Sequence, residues 1–296
     1  MTPSGTLVSI GIPLRNSEKL VDDVLQSVSA QEYDNLEFVL SDNASDDSTE
    51  EICRDHARRD PRIRYHRQPV NIGVDGNFTF VLRQARGEFF RWVGDDDRLE
   101  PRCISRCVDV LSDDPRLVLV TTQQTFRERD GDVRTAAYLG PGLGSSNAVD
   151  RLEEWLRLLN STHLLMDPMY GVMRRAAVED VPRATMLRSD QVFATRLAVT
   201  GPWAHINEVL AHRGWPDDTR EVLARRMGLP RWRTHIATAY QARHLLGVVA
   251  ETPMTAGERR RANQAVATWY VGWHRRRILG GARRVVGRAR MPSARP

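Results

Sequence analysis

Over its first hundred residues the chain alternates short apolar runs with amphipathic stretches, and no other feature restricts its fold as much. Residues 7–12, 36–40, 62–66 and 88–93 read as strands, the first halted by Pro13. Between the first two, Ser17 is placed to cap a helix in which Val21, Val24, Leu25 and Val28 recur at helical spacing. Ser48-Thr49-Glu50-Glu51 reads as a capping box opening a second helix through Ala57. Asn77 opens a third, with Phe78, Val81, Leu82 and Ala85 on one side and Gly87 closing it. Strands alternating with helices across short loops imply a parallel sheet with right-handed crossovers. Ligands of such sheets sit outside the carboxyl ends of the strands. Here those ends are Pro13-Leu14-Arg15, Asp42-Asn43, the loop from Arg67 to Asn71, and Gly94 to Asp97, all polar and all expected on one rim.

The last of these ends holds three consecutive carboxylates, Asp95, Asp96 and Asp97, before Pro101 opens another helix. Adjacent like charges repel by roughly 1 kcal/mol per pair in water and by more where water is scarce. A hard divalent cation, Mg2+ or Mn2+, would relieve that and keep positions open for phosphate. A solvated acidic turn at a helix start is the alternative. Neither a Gly-x-Gly-x-x-Gly turn nor a Gly-Lys-Ser/Thr loop is present, so a nucleotide here would offer its diphosphate to a metal.

Further on, Ile104, Cys107, Val108 and Leu111 share a helix face, and residues 117–121 form a strand. Residues 140–147 (GPGLGSSN) read as a mobile loop, followed by a helix with Leu152, Trp155, Leu156 and Leu159 in register. Residues 169–175 read as a returning strand, Arg188-Ser189-Asp190-Gln191 opens a helix, and 206–210 is a short strand ending at 211–216. Asp167 could line a pocket or merely turn the chain before Pro168, while His163 and His205 read as structural. Three cysteines with no disulfide or zinc spacing, and no basic, apolar leader, suggest a reducing, cytoplasmic setting. No run approaches the ~18 apolar residues of a membrane span.

The net charge of +5 is unevenly spread: residues 221–296, with 16 Arg and 3 Glu, hold +13 and leave −8 for residues 1–220. An acidic body with a basic tail argues against a nucleic-acid binder. The tail reads as helices broken at Pro230, Pro253 and Gly280-Gly281. Trp269, Tyr270, Trp273, Ile278 and Leu279 interleave with Arg275, Arg276 and Arg277, ahead of Arg283, Arg284, Arg288 and Arg290. That mixture suits peripheral attachment at the inner face of the plasma membrane, or a helix packed on the body with a basic end.

Four stretches together resemble the family 2 glycosyltransferases of the GT-A fold, over roughly residues 6–216. They are Ile12-Pro13-Leu14-Arg15-Asn16, the run from Leu40 to Thr49 (LSDNASDDST), Asn71-Ile72-Gly73 with Asn77 and Ala85-Arg86-Gly87-Glu88, and the run from Gly94 to Pro101. The resemblance implies an α/β fold: a mixed, mostly parallel sheet flanked by helices, with a helical C-terminal extension. It implies a donor-binding half over residues 1–110, an acceptor-binding half of the same domain over 111–220, and a basic extension over 221–296. Pro13 and Arg15 would flank the nucleotide base, Asp42 would accept a hydrogen bond from it, Asn71 would line the same site and Asp95 would approach the ribose. Asp96 and Asp97 would hold the metal; because Gly94 stands where the first acid of the family's D-x-D-type motif usually lies, the division of labour within the triplet stays open. Asp190 would deprotonate the acceptor hydroxyl, its alternative being a first-turn acid behind a Ser189 cap. His212 and Arg213 would face the diphosphate or simply the solvent.

The expected activity is metal-dependent, inverting transfer of a sugar from a nucleoside-diphosphate sugar to a glycan, lipid-linked or small-molecule acceptor. The rivals are a sugar-phosphate nucleotidyltransferase and a catalytically silent nucleotide-sugar-binding protein.

Overall fold

The computed structural model describes residues 5–127, 131–140, 142–183, 185–214 and 219–289. Trp215, Pro216 and Arg290 lie outside the described residues, as do the side chains of His163, Arg277, Ile278, Leu279, Arg283, Arg284 and Arg288. The expected alternation is present: β1 (Val8–Leu14), α1 (Val21–Ser29), β2 (Leu36–Asp42), α2 (Thr49–Arg59), β3 (Ile63–Arg67), α3 (Val74–Gln84) and β4 (Phe89–Trp92). Then follow β5 (Arg98–Leu99), α4 (Cys103–Asp113), β6 (Leu119–Arg127), β7 (Val133–Arg134), α5 (Ala148–Leu159), β8 (Val172–Arg174), α6 (Ser189–Thr200) and β9 (Trp203–Gly214). Three helices end the chain: α7 (Arg220–Arg226), α8 (Trp232–Glu251) and α9 (Ala256–Ala289).

The described strands form one mixed sheet in the order β3-β2-β1-β4-β8-β6-β9-β5, with β7 on β6. The first four are parallel neighbours. Beyond them β8 runs antiparallel to both β4 and β6, β9 runs parallel to β6, and β5 is antiparallel to β9.

Alternation along the strands sorts side chains to two faces. Ile10, Ile12 and Phe38 meet α1 and α4 on one side, while Val39, Phe90 and Trp92 meet α3 and α6 on the other. Gly11 permits the close approach of α3, since a methyl there would lie 2.7 Å from the Phe90 ring and 2.8 Å from Val81. A third cluster joins α5 and α6 to α8 and α9 through Leu152, Leu156, Leu245, Val248 and Val266. Trp269 is buried in it, and its carbonyl accepts from Asn160 Nδ2 at 3.0 Å. The tail therefore docks on the body, and this tryptophan is withdrawn from any membrane surface. No helix among the described residues is long and apolar enough to cross a membrane.

Several local expectations change. In the segment expected to be a mobile loop, residues 142–147 are tied down: Leu143 is buried, and Asn147 caps α5 by accepting from the amides of Val149 and Asp150. At α2 the Ser48 side chain makes no cap bond; Asp47 accepts from the Thr49 amide instead. The helix assigned to Asn77 starts earlier, at Val74 after Gly73 with φ +80°, and Asn77 is buried inside it. The helix after Pro101 begins at Cys103, and β5, unforeseen, precedes it. Strands β6 and β9 exceed their apolar centres because they pair with each other through two register shifts. Finally, α9 continues through Gly280-Gly281: glycine costs about 1 kcal/mol in a helix but does not stop one.

Candidate active site

Four parallel strands deliver their carboxyl ends to one rim, and a cavity of about 720 Å3 opens there. Pro13, Arg15, Asn43, Asn71 and Asp95 line it, together with Arg226 from α7. Beneath it Asn77 joins two strand ends: its Nδ2 donates to the carbonyls of Ser41 (2.9 Å) and Leu14 (3.3 Å), and its Oδ1 accepts from Ser41 Oγ at 2.6 Å. Asn43 Nδ2 donates to Asn71 Oδ1 at 2.9 Å, and Asn43 Oδ1 accepts from the Ile72 amide at 2.8 Å. The rim loops are thus braced by side-chain amides before any ligand arrives.

Asp42 lies deeper. It has no exposed surface; Oδ1 accepts from the Ser45 amide (2.8 Å), and Oδ2 accepts from Tyr65 Oη (2.8 Å) and Arg67 Nη1 (2.6 Å). Burial alone would raise its carboxyl, but these donors outweigh that and hold it low. Asp42 is not among the residues lining the cavity.

The acidic triplet divides by partner. Asp95 takes the hydroxyl of Ser17, so that serine, expected to cap α1, serves the site instead. Asp97 is buried, its Oδ2 accepting from the Gly94 amide at 2.8 Å and its Oδ1 from Arg213 Nε at 3.1 Å. Asp96 stands between them, and burial, then Asp97 and Asp95, push its carboxyl up to about 6 against the pull of Arg213. It packs on Gly214, where a methyl would sit 2.1 Å from Asp96 Oδ2. Asp95 is raised as well, chiefly by burial. Among the described residues no group of three or more His, Cys, Asp or Glu side chains is arranged to hold a metal ion.

Asp190 occupies the first turn of α6 and lines a second cavity of about 140 Å3 with Met166, Asp167 and Gln191. It is exposed to solvent, yet the enclosing walls and then Asp167 raise its carboxyl to about 6. Ser189 makes no cap bond; the residue before the helix is Arg188, in the left-handed region. Asp167 does both things considered for it: Oδ1 accepts from the Met169 amide at 3.2 Å, and Oδ2 pairs with Arg213 Nη1 at 2.7 Å. Arg213 therefore bridges Asp97 and Asp167, its guanidinium 3.4 Å from the Tyr170 ring centroid. His212 cannot share that duty, because successive strand residues face opposite ways. It pairs with Glu100 (2.7 Å) and Thr125 (2.8 Å). His205 contacts Thr121, and burial lowers it to about 4, so it is neutral and structural.

Sequence reasoning missed Ser17, Tyr170 and Arg226 as neighbours of the site. Only Asn77, a polar residue on the buried face of an amphipathic helix, carried a signal that could have marked it.

The sequence matches the glycosyl transferase family 2 model over residues 9–181, more than half of the chain. It is 26% identical over 207 residues to chondroitin synthase of Escherichia coli, covering 70% of this chain and 29% of that one. It is 39% identical over 97 residues to abequosyltransferase RfbV of Salmonella typhimurium, covering 31% and 29%. The matches thus span less than a third of either relative's length. The structure of S. aureus TarS residues 1–349 in complex with UDP-GlcNAc superposes with a TM-score of 0.64 at 14% identity, over 89% of this chain and 72% of that one. A mannosyltransferase from Pyrobaculum calidifontis in complex with GDP-Man and Mn2+ gives 0.55 at 18% identity, over 90% and 72%. At such identities the likeness carries the fold, which is that of the GT-A glycosyltransferases. By the family match, the chain belongs to glycosyl transferase family 2.

Proposed function

We propose that the protein is a metal-dependent, inverting glycosyltransferase that moves a sugar from a nucleoside-diphosphate sugar to an acceptor hydroxyl. The observation that carries this reading is a pair of cavities, with Asp95 on the first and Asp190 and Asp167 on the second, and the Asp97–Arg213–Asp167 bridge linking the acidic triplet to the second. Pro13 and Arg15 flank the base, Asp95 accepts from the ribose, and Asn71 and Asn43 shape the wall. Asp42 serves by fixing Tyr65 and Arg67.

The acids fit a divalent cation of the kind that takes one or two carboxylates and completes its shell with phosphate oxygens. Asp96, whose carboxyl is raised by burial and then by its acidic neighbours, is the group whose ionised form a cation would stabilise most, with Asp95 beside it. Asp97, already paired with Arg213, supports from behind. When bound, Mn2+ or Mg2+ would supply Lewis acidity at the diphosphate. Arg213, facing both acids, is the nearer diphosphate contact, and His212 lines the same cavity as Asp96 and Arg213 while pairing with Glu100.

Asp190 accepts the proton of the acceptor hydroxyl as its oxygen attacks the anomeric carbon and the nucleoside diphosphate departs from the other side, which inverts the configuration. A carboxyl near 6 is mainly ionised at neutral pH and is a stronger base than an ordinary aspartate. The acceptor is a cell-envelope glycan, lipid-linked or not, or a small-molecule aglycone. Among the described side chains, membrane attachment rests on the charge of the exposed Arg275 and Arg276.

The test pairs two variants of the full chain with UDP- and GDP-sugars and Mn2+. Asp190→Asn should bind UDP or GDP as the wild type does while transfer falls by about 10²-fold or more, and Asp96→Asn should lose turnover while staying folded. Wild-type rates in the first variant refute the base; in the second they refute the metal site.

A further inference from the structure

The backbone just before Asp190 is held in a shape its own residue disfavours. Arg188 has φ 67° and ψ 31°, a left-handed conformation costing a non-glycine residue about 1–2 kcal/mol. Such conformations persist only where the surroundings over-determine them. Here the restraint comes from the C-terminal helices. Gln241 of α8 is fully buried; its Oε1 accepts from Arg188 Nη1 at 2.8 Å, and its Nε2 donates to Gln191 Oε1 at 2.8 Å. Thr238, one turn earlier, accepts from the same Arg188 nitrogen at 3.2 Å, and the Trp273 ring of α9 lies 4.8 Å from the guanidinium. One buried amide therefore grips the residues on both sides of Ser189-Asp190. From the opposite side, Ser189 Oγ donates to Asp75 Oδ1 of α3 at 3.3 Å. The turn that presents Asp190 is clamped between α3, whose first residues reach the nucleotide cavity, and α8.

A glutamine needed only to fill space would not require both ends of its amide to be matched. Nor would a helix start need a strained arginine where glycine or asparagine adopts the same shape at little cost. What the arrangement supplies is a fixed direction for the carboxylate in the next turn.

We infer that Gln241 is a positioning residue: through Arg188 and Gln191 it holds the left-handed turn that aims Asp190 at the acceptor, which makes the C-terminal helices part of the catalytic apparatus. The inference rests on Asp190 being the base, as proposed above. A misplacement of about 1 Å at a reacting group can cost 10²-fold in rate, and it would register in turnover rather than in nucleotide affinity.

Full-length Gln241→Met, Gln241→Glu and Asp190→Asn test this on whichever UDP- or GDP-sugar the wild type turns over, read by release of UDP or GDP, with affinity for UDP or GDP measured by calorimetry. Methionine keeps the volume and removes the amide. Glutamate accepts from Arg188, and Gln191 can turn its amide to donate to it. Gln241→Met should lower kcat by about tenfold or more with affinity unchanged, and Gln241→Glu should recover most of the loss. Thr238→Val, which removes only the 3.2 Å contact, should lower kcat by about threefold in the same pattern, so the test stands even if Gln241→Met does not fold. Equal kcat in the Met and Glu variants, or wild-type kcat in Gln241→Met and Thr238→Val while Asp190→Asn is inactive, overturns the inference and leaves the base intact. Wild-type turnover in Asp190→Asn removes the base, and the inference with it.

Discussion

Arg213 is the side chain whose loss should cost the fold most. Its guanidinium is 8% exposed and neutralises two carboxylates, Asp97 at 3.1 Å and Asp167 at 2.7 Å, whose side chains are 4% and 20% exposed. Replacing it with methionine keeps much of the stack on Tyr170 and strands both acids. Breaking a buried pair by removing one partner costs about 3–5 kcal/mol. At about 2–4 °C per kcal/mol for a domain somewhat smaller than this one, Arg213→Met should melt roughly 6–20 °C below the wild type. The deficit should depend on pH. Burial already raises the Asp167 carboxyl, and Arg213 is the main influence holding it down. Without the arginine it rises further above its unfolded value, so the variant is least impaired in acid, where the group is protonated in both states. It loses stability as pH climbs through the folded value. Thermal and urea unfolding at about pH 5 and about pH 7.5 would measure both effects. Arg213→Met/Asp167→Asn should recover at least about 1 kcal/mol relative to additivity. A single variant within about 1 kcal/mol of the wild type at the higher pH, with additive double-mutant behaviour, would refute the bridge.

Three further outcomes are expected. The kcat/KM profile should fall on the acid side near the value of about 6 assigned to Asp190, since the protonated carboxyl cannot accept a proton, and in Asp190→Asn this limb should vanish from the residual rate. Arg226→Gln should weaken UDP or GDP binding by roughly tenfold or more while sparing the bare nucleoside, because Arg226 and Arg15 are the cations lining that cavity among the described residues; equal losses for nucleotide and nucleoside in calorimetry would argue against a phosphate contact. Gly214→Ala should mimic Asp96→Asn in turnover, as the added methyl would fall 2.1 Å from the Asp96 carboxylate; an active alanine variant would mean that Asp96 is free to move.

What could be read from the residues in order was what local periodicity encodes. Strands β1 to β4 and the helices between them follow from spacing, and the parallel crossover rule then brings Pro13, Arg15, Asn71 and Asp95 to one rim. Less could be read where a residue's partner lies far along the chain. Nothing near Ser17 announces that its hydroxyl serves Asp95 rather than a helix end, and nothing near Asp97 announces Arg213. The length of β9 was hidden because its outer residues are polar and held by pairing with β6. Gln241 looks like any polar residue of a helix until the fold buries it against Arg188. The aromatic residues of the tail pointed two ways because apolar area suits a membrane and a protein surface alike; packing decided it for Trp269.

The two-residue strand β5 has a consequence for how the protein is made. Its only described pairing is with β9, Arg98 opposite His212 and Leu99 opposite Ala211, and the backbone ties Glu100 N to Leu210 O at 3.1 Å and Gly214 N to Asp96 O at 3.3 Å. The downstream flank of the acidic loop is therefore fastened by residues that follow it by about 110 positions, which a ribosome adding about 5–20 residues per second delivers some 5–20 s later. Until then a nascent chain carries its first four strands with that loop open on one side. The acidic loop should therefore reach its final shape only after synthesis has passed β9, well after the strands that carry it are complete.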